Sequence, residues 1–219
     1  MHTYHPTFDD LKAFRFGGES AQAYGFTPLV PYEASLVFTQ LGLIDQLMHF
    51  FQHQHLGDPQ YFHIIRARNY AQHCLLSLPT WDELPARDKS HLNKLSYECS
   101  CLTVRLYATA VLFPIPSSSG WHIDILSHLR SLQNDLVFLK QPFDAWPLFV
   151  WSAYVCGIAS YRTCHRSFYV EYLRQLVRKA NLRTWTQVRS GFDAFMWSDA
   201  ACGHGAAVLW DELRIDETA

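Results

Sequence analysis

Between Pro147 and Ser160 the chain reads PLFVWSAYVCGIAS without a charged residue, and Tyr161-Arg162 closes the run. A membrane-spanning helix needs roughly 20 such residues, so the segment is too short to cross a bilayer and reads as a buried core helix. A core helix needs a protein body around it. With 49 % apolar and 15 % aromatic residues against 17 % charged, the 219-residue chain has the composition of one packed domain, not of a disordered tail. A chain of this length buries roughly 70 % of its unfolded surface.

The remaining periodicity is helical throughout. Residues 1 to 31 mix Gly17-Gly18, Gly25, Pro28 and Pro31 with scattered aromatics and read as an extended arm. From Glu33 to His53, Leu36, Val37, Leu41, Ile44, Leu47, Met48 and Phe51 recur at three- and four-residue intervals, which predicts the first long helix. A second helix is expected from Gln60 to Leu78, then a loop with Trp81 from Pro79 to Pro85. The longest periodic stretch, Ala86 to Phe113, carries a stripe of Leu92, Leu95, Cys99, Leu102, Leu106, Ala110 and Phe113. Ser117 to Gly120 reads as a helix-helix connection.

Ile123, Leu126, Leu129, Leu132, Leu136 and Leu139 trace a further amphipathic helix. After the apolar run, Thr163 is expected to cap a helix whose line Phe168, Tyr172, Leu176 and Ala180 ends at Asn181. Thr184 opens another, carrying Trp185, Val188, Phe192, Phe195 and Met196, and a last helix spans Ala206 to Leu213 after Gly203-His204-Gly205. No run of alternating β-branched residues is present. The expected fold is all-α: a single-domain bundle of about seven to nine helices over 32–214, with the arm before it and a polar tail at 215–219.

A net charge of −2 gives no overall footprint for a polyanion. The basic residues Arg174, Arg178, Lys179, Arg183 and Arg189 read as a solvated helix flank. The start of the chain shows no charged-then-apolar signal segment, so the six cysteines are expected to be reduced thiols of an intracellular protein.

The second half also carries words that are specific in combination. They are Tyr97-Glu98 leading through Arg105-Leu106-Tyr107 to Phe113-Pro114, Trp146-Pro147-Leu148-Phe149 with Gly157-Ile158-Ala159, Phe195 through Cys202, and Leu209 through Leu213. In these words the chain resembles the C-terminal regulatory domain, the fungal-specific transcription factor domain, of fungal zinc-cluster transcription factors. The resemblance implies an all-helical regulatory region, a nuclear address, and partners that are other transcription factors or a second copy of the chain. Some related domains bind small molecules, which implies a small apolar effector. The family's zinc cluster crowds six cysteines into a short basic segment, whereas Cys74, Cys99, Cys101, Cys156, Cys164 and Cys202 are scattered here. Cys99 and Cys101 would point about 200° apart on a helix and could not grip one ion together. Direct DNA binding is therefore not expected, and DNA would be reached through a partner or a lost upstream module.

Nothing in the sequence assigns catalysis. No nucleophile elbow, phosphate-cradling loop or dinucleotide fingerprint is present, no cofactor is expected, and an enzyme is the less favoured class. The pattern nearest to a metal-binding face is Asp45, His49 and His53, with His55 beyond it; it lacks a metalloprotease glutamate and reads first as a polar outer face. Cys164-His165 are sequence neighbours that would not face each other. Trp146, Phe149, Trp151, Tyr154 and Cys156 are the residues that would line a ligand pocket if the bundle encloses one, with ordinary core packing as the simpler alternative. A small-molecule enzyme or binder of fungal secondary metabolism, built on the same fold, is the alternative function.

Overall fold

The protein is all-α. The computed structural model describes residues 58–84, 91–112, 120–138, 146–192 and 195–213. The expected arm, the helix from Glu33 to His53 with Asp45, His49 and His53, and the polar tail lie outside these residues. Among the described residues there are seven α-helices and no strand. They are α1 (Asp58–Leu76), α2 (His91–Leu106), α3 (Trp121–Phe138), α4 (Trp146–Ala159), α5 (Arg166–Lys179), α6 (Trp185–Ser190) and α7 (Asp199–Leu213). A short 3₁₀ turn spans Trp81–Glu83, and α2 continues directly into a π-helical segment, Tyr107–Leu112.

Two helices organise the core. The apolar run becomes α4, in which every residue from Leu148 to Cys156 is buried, as a helix without a polar face requires. Pro147 sits in its first turn, where its missing N–H leaves no intrahelical bond unmade. α2 packs against both α3 and α4 and is buried more widely than a single stripe. Ser96, Ser100 and Thr103 are as buried as Leu95, Val104 and Leu106, while Leu102 is only partly buried.

α7 meets α4 through small residues. A Cβ added to Gly157 would lie 2.5 Å from Leu209 Cδ2, and one added to Gly205 would lie 2.9 Å from Ile158 Cγ2. Each glycine thus receives the large side chain of the other helix, and the backbones approach closely. This corrects the expected start of the last helix. The helix begins at Asp199, seven positions before Ala206, because Gly203 and Gly205 serve inside it and do not break it. Ser198 provides the entry, its Oγ accepting from the Ala201 N–H at 3.3 Å.

Other termini follow local chemistry. Asn181 takes φ of 52° after α5, and the N–H groups of Asn181 and Leu182 bond to the carbonyls of Arg178 (3.1 Å) and Val177 (3.0 Å). That is a Schellman termination with asparagine at its left-handed position. Thr184 opens α6 as expected and also caps it, accepting from the Gln187 N–H at 3.3 Å while Gln187 Oε1 accepts from the Thr184 N–H at 3.2 Å. α6 stops at Ser190, so Phe192, Phe195 and Met196 are buried from the connecting chain rather than from a helix.

Two further expectations are corrected. Thr163 does not cap α5; its hydroxyl donates to the Ser160 carbonyl (2.8 Å) and accepts from the His165 N–H (3.2 Å), shaping the turn before the helix starts at Arg166. Ile123 is exposed, and α3 instead turns His122, Ile125, Leu126, Leu129 and Gln133 inward.

Candidate functional site

Four of the five residues singled out for a ligand pocket are core residues. Phe149, Trp151, Tyr154 and Cys156 are fully buried on α4, where Trp146 stands at the first position. They point to different neighbours. Trp151 packs between Tyr107 (6.4 Å between centroids) and Phe195 (5.5 Å), whereas Tyr154 is ringed by Phe192 (5.2 Å), Trp185 (5.7 Å) and Trp197 (6.5 Å). Among the described residues the Tyr154 hydroxyl has no hydrogen-bond partner, and burial pushes its ionisation up so that it stays a neutral phenol.

A polar seam crosses the core beside these rings. Ser152 Oγ lies 2.6 Å from Thr103 Oγ1 and 3.4 Å from Cys99 Sγ, and Gln133 Nε2 donates to it at 3.2 Å. Burial raises the Cys99 and Cys156 thiols above their ordinary range and pushes Cys101 up to about 12, so all three stay protonated at neutral pH. A protonated, buried thiol is neither a nucleophile nor a metal ligand. The seam is satisfied mostly within itself and holds α2, α3 and α4 in register.

Cys164 and His165 diverge. The thiol is exposed, while the imidazole is buried with Nε2 3.2 Å from Ser127 Oγ on α3. Desolvation, then the Arg130 charge, lowers the His165 pKa, which keeps the ring neutral. Of the basic flank, Arg174 donates to the main-chain carbonyls of Glu212 and Leu213 (both 3.2 Å) at the end of α7, and Arg189 holds Asp199 at 3.1 Å. Arg178 and Lys179 are exposed.

The arrangement with room beside it lies at the other end of α2. The last turn of α1 leaves carbonyls without helical partners, and Arg105 donates from Nε (3.2 Å) and Nη2 (3.0 Å) to the Leu75 carbonyl. One turn on, the backbone widens into the π segment, where Thr109 Oγ1 donates to the Arg105 carbonyl at 2.8 Å. The Thr109 carbonyl lies 3.2 Å from Nε2 of buried His122, which must carry the proton there because a carbonyl only accepts. Between α1, the π segment and the start of α3 lies a cavity of about 170 Å³, lined by Gln72, Leu75, Leu76, Arg105, Thr109 and Trp121. Its walls are mostly apolar, and Leu76 and Trp121 form exposed rims.

No protein-family model matches this chain, and no curated protein or solved structure is significantly similar to it. Sequence reasoning missed the cavity because its residues come from three helices whose adjacency no local pattern encodes. Arg105, within one of the quoted words, was its nearest signal.

Proposed function

We propose that this chain is a regulatory module of the kind carried by fungal zinc-cluster transcription factors, acting in the nucleus through protein contacts, with other transcription factors or a second copy as partner. The observation that supports the reading is where the shared words meet. Tyr107 Oη accepts from the Ser198 N–H at 3.1 Å and Gly157 receives Leu209, while Trp151, between the two parts of the second word, donates from Nε1 to the Met196 carbonyl at 2.8 Å. Words far apart in sequence are fasteners of one core, as expected if they specify a fold shared with that family. On this reading the chain would reach DNA through a partner or through an upstream module.

The test is to tether the whole chain to an unrelated DNA-binding module upstream of a reporter gene. The expected result is a severalfold change in output relative to the module alone. Unchanged output at equal levels of folded fusion protein overturns the reading. The cavity beside Arg105 favours the second reading, a small-molecule binder or enzyme on the same helical fold, which predicts no effect in that assay.

A further inference from the structure

The cavity between α1, the π segment and α3 joins three features that together define a ligand. Its volume of about 170 Å³ is close to that of an apolar protein cavity, about 150 Å³, that accepts benzene. It therefore suits a single ring or a short branched chain. Leu75, Leu76 and the Trp121 indole supply apolar walls for such a body.

The second feature is a charge without a counter-charge. Arg105 is half-buried, and among the described residues it meets no carboxylate. Nε and Nη2 are used by the Leu75 carbonyl, which leaves Nη1 of the planar guanidinium without an acceptor among the described residues. Fastening a helix-end carbonyl needs only one neutral donor. The negative end of the α1 dipole offsets part of the cost of half-desolvating the guanidinium, and an anion beside it offsets more.

The third feature is the backbone itself. π-helical turns are uncommon and gather at functional sites, and this one brings Thr109 to the cavity wall while His122 holds its carbonyl from below.

The geometry points to a binding site for a small monocarboxylate with a ring-sized apolar body, its carboxylate on Arg105 and its body between Leu75, Leu76 and Trp121. The site does not depend on a role in transcription: it would hold the effector of a regulatory module as readily as the substrate of an enzyme. Failure of either claim leaves the other standing.

The test uses the full chain, titrated with benzoate and with benzyl alcohol, which keeps the ring and drops the charge, by ligand-observed NMR at low salt. Benzoate is expected to bind at least roughly tenfold more tightly, the lower end of what one charge-assisted hydrogen bond contributes. Arg105→Gln is expected to abolish that preference, and Leu76→Trp, at an exposed rim position, to fill the cavity and exclude both compounds. Binding of neither compound, a preference that survives Arg105→Gln, or benzoate affinity untouched by Leu76→Trp would each overturn the assignment. If Arg105→Gln does not fold because α1 loses its fastening, Leu76→Trp still decides.

Discussion

The indole of Trp151 on α4 donates to the main-chain carbonyl of Met196 at 2.8 Å, across a separation of 45 residues. Both residues are buried, so the bond fixes the chain between α6 and α7 onto the core helix without help from water. Trp151→Phe keeps an aromatic ring but leaves that carbonyl unpaired beside a gap. The expected loss is about 2–4 kcal/mol of unfolding free energy, read from urea denaturation.

The glycines on α4 and α7 predict opposite outcomes for one chemical change. Gly157→Ala drives a methyl against Leu209, which is fully buried and has little room to yield. Overpacking outweighs the gain in helix propensity, and a net loss of about 1–2 kcal/mol is expected. Gly203 has nothing within 4 Å of an added Cβ, so Gly203→Ala is expected to raise stability by about 0.5–1 kcal/mol. Thermal denaturation of the two variants in parallel checks both signs.

Thr184 and Gln187 close a reciprocal pair of hydrogen bonds at the start of α6. Thr184→Ala is expected to cost about 1 kcal/mol, and Thr184→Ser to restore most of it, because either hydroxyl can accept from the Gln187 N–H. The same denaturation measurement resolves a difference of that size.

The buried thiols make stability depend on alkaline pH. Folded Cys101 keeps its proton up to about 12, whereas an unfolded thiol releases it near 9.0. Above pH 9 the unfolded chain therefore binds fewer protons than the folded one, and stability falls as pH rises through that window. Cys99 and Cys156 act in the same direction. Denaturation midpoints at pH 8 and pH 10 should differ, and Cys101→Ala should reduce the difference. In the folded protein at pH 8, exposed Cys164 should react with a thiol reagent well before these three.

Much of the helical order can be read from the sequence, because its signals are local. The apolar run of α4, the start of α6 at Thr184 and the Asn181 termination each involve residues within a few positions of one another, and each appears where expected. What could not be read depends on partners distant in sequence. Gly203 and Gly205 look like breakers until Ile158 is known to press against Gly205. Ile123 looks like a core residue until α3 is seen to turn His122 inward to the Thr109 carbonyl. The cavity needs Leu75, Arg105 and Trp121 in one place, and those residues come from three separate helices.

The central claim is that the segments Tyr97 through Tyr107, Leu148 through Ala159, Phe195 through Cys202 and Leu209 through Leu213, which contain most of the quoted words, form one cooperative core. Native-state hydrogen exchange tests it most directly, because amides that open only with global unfolding share one free energy. The account predicts that the slowest amides of α2, α4 and α7 exchange with a common free energy and the same denaturant dependence. Exchange of α7 as a separate unit of lower stability, with α2 and α4 still protected, would contradict it.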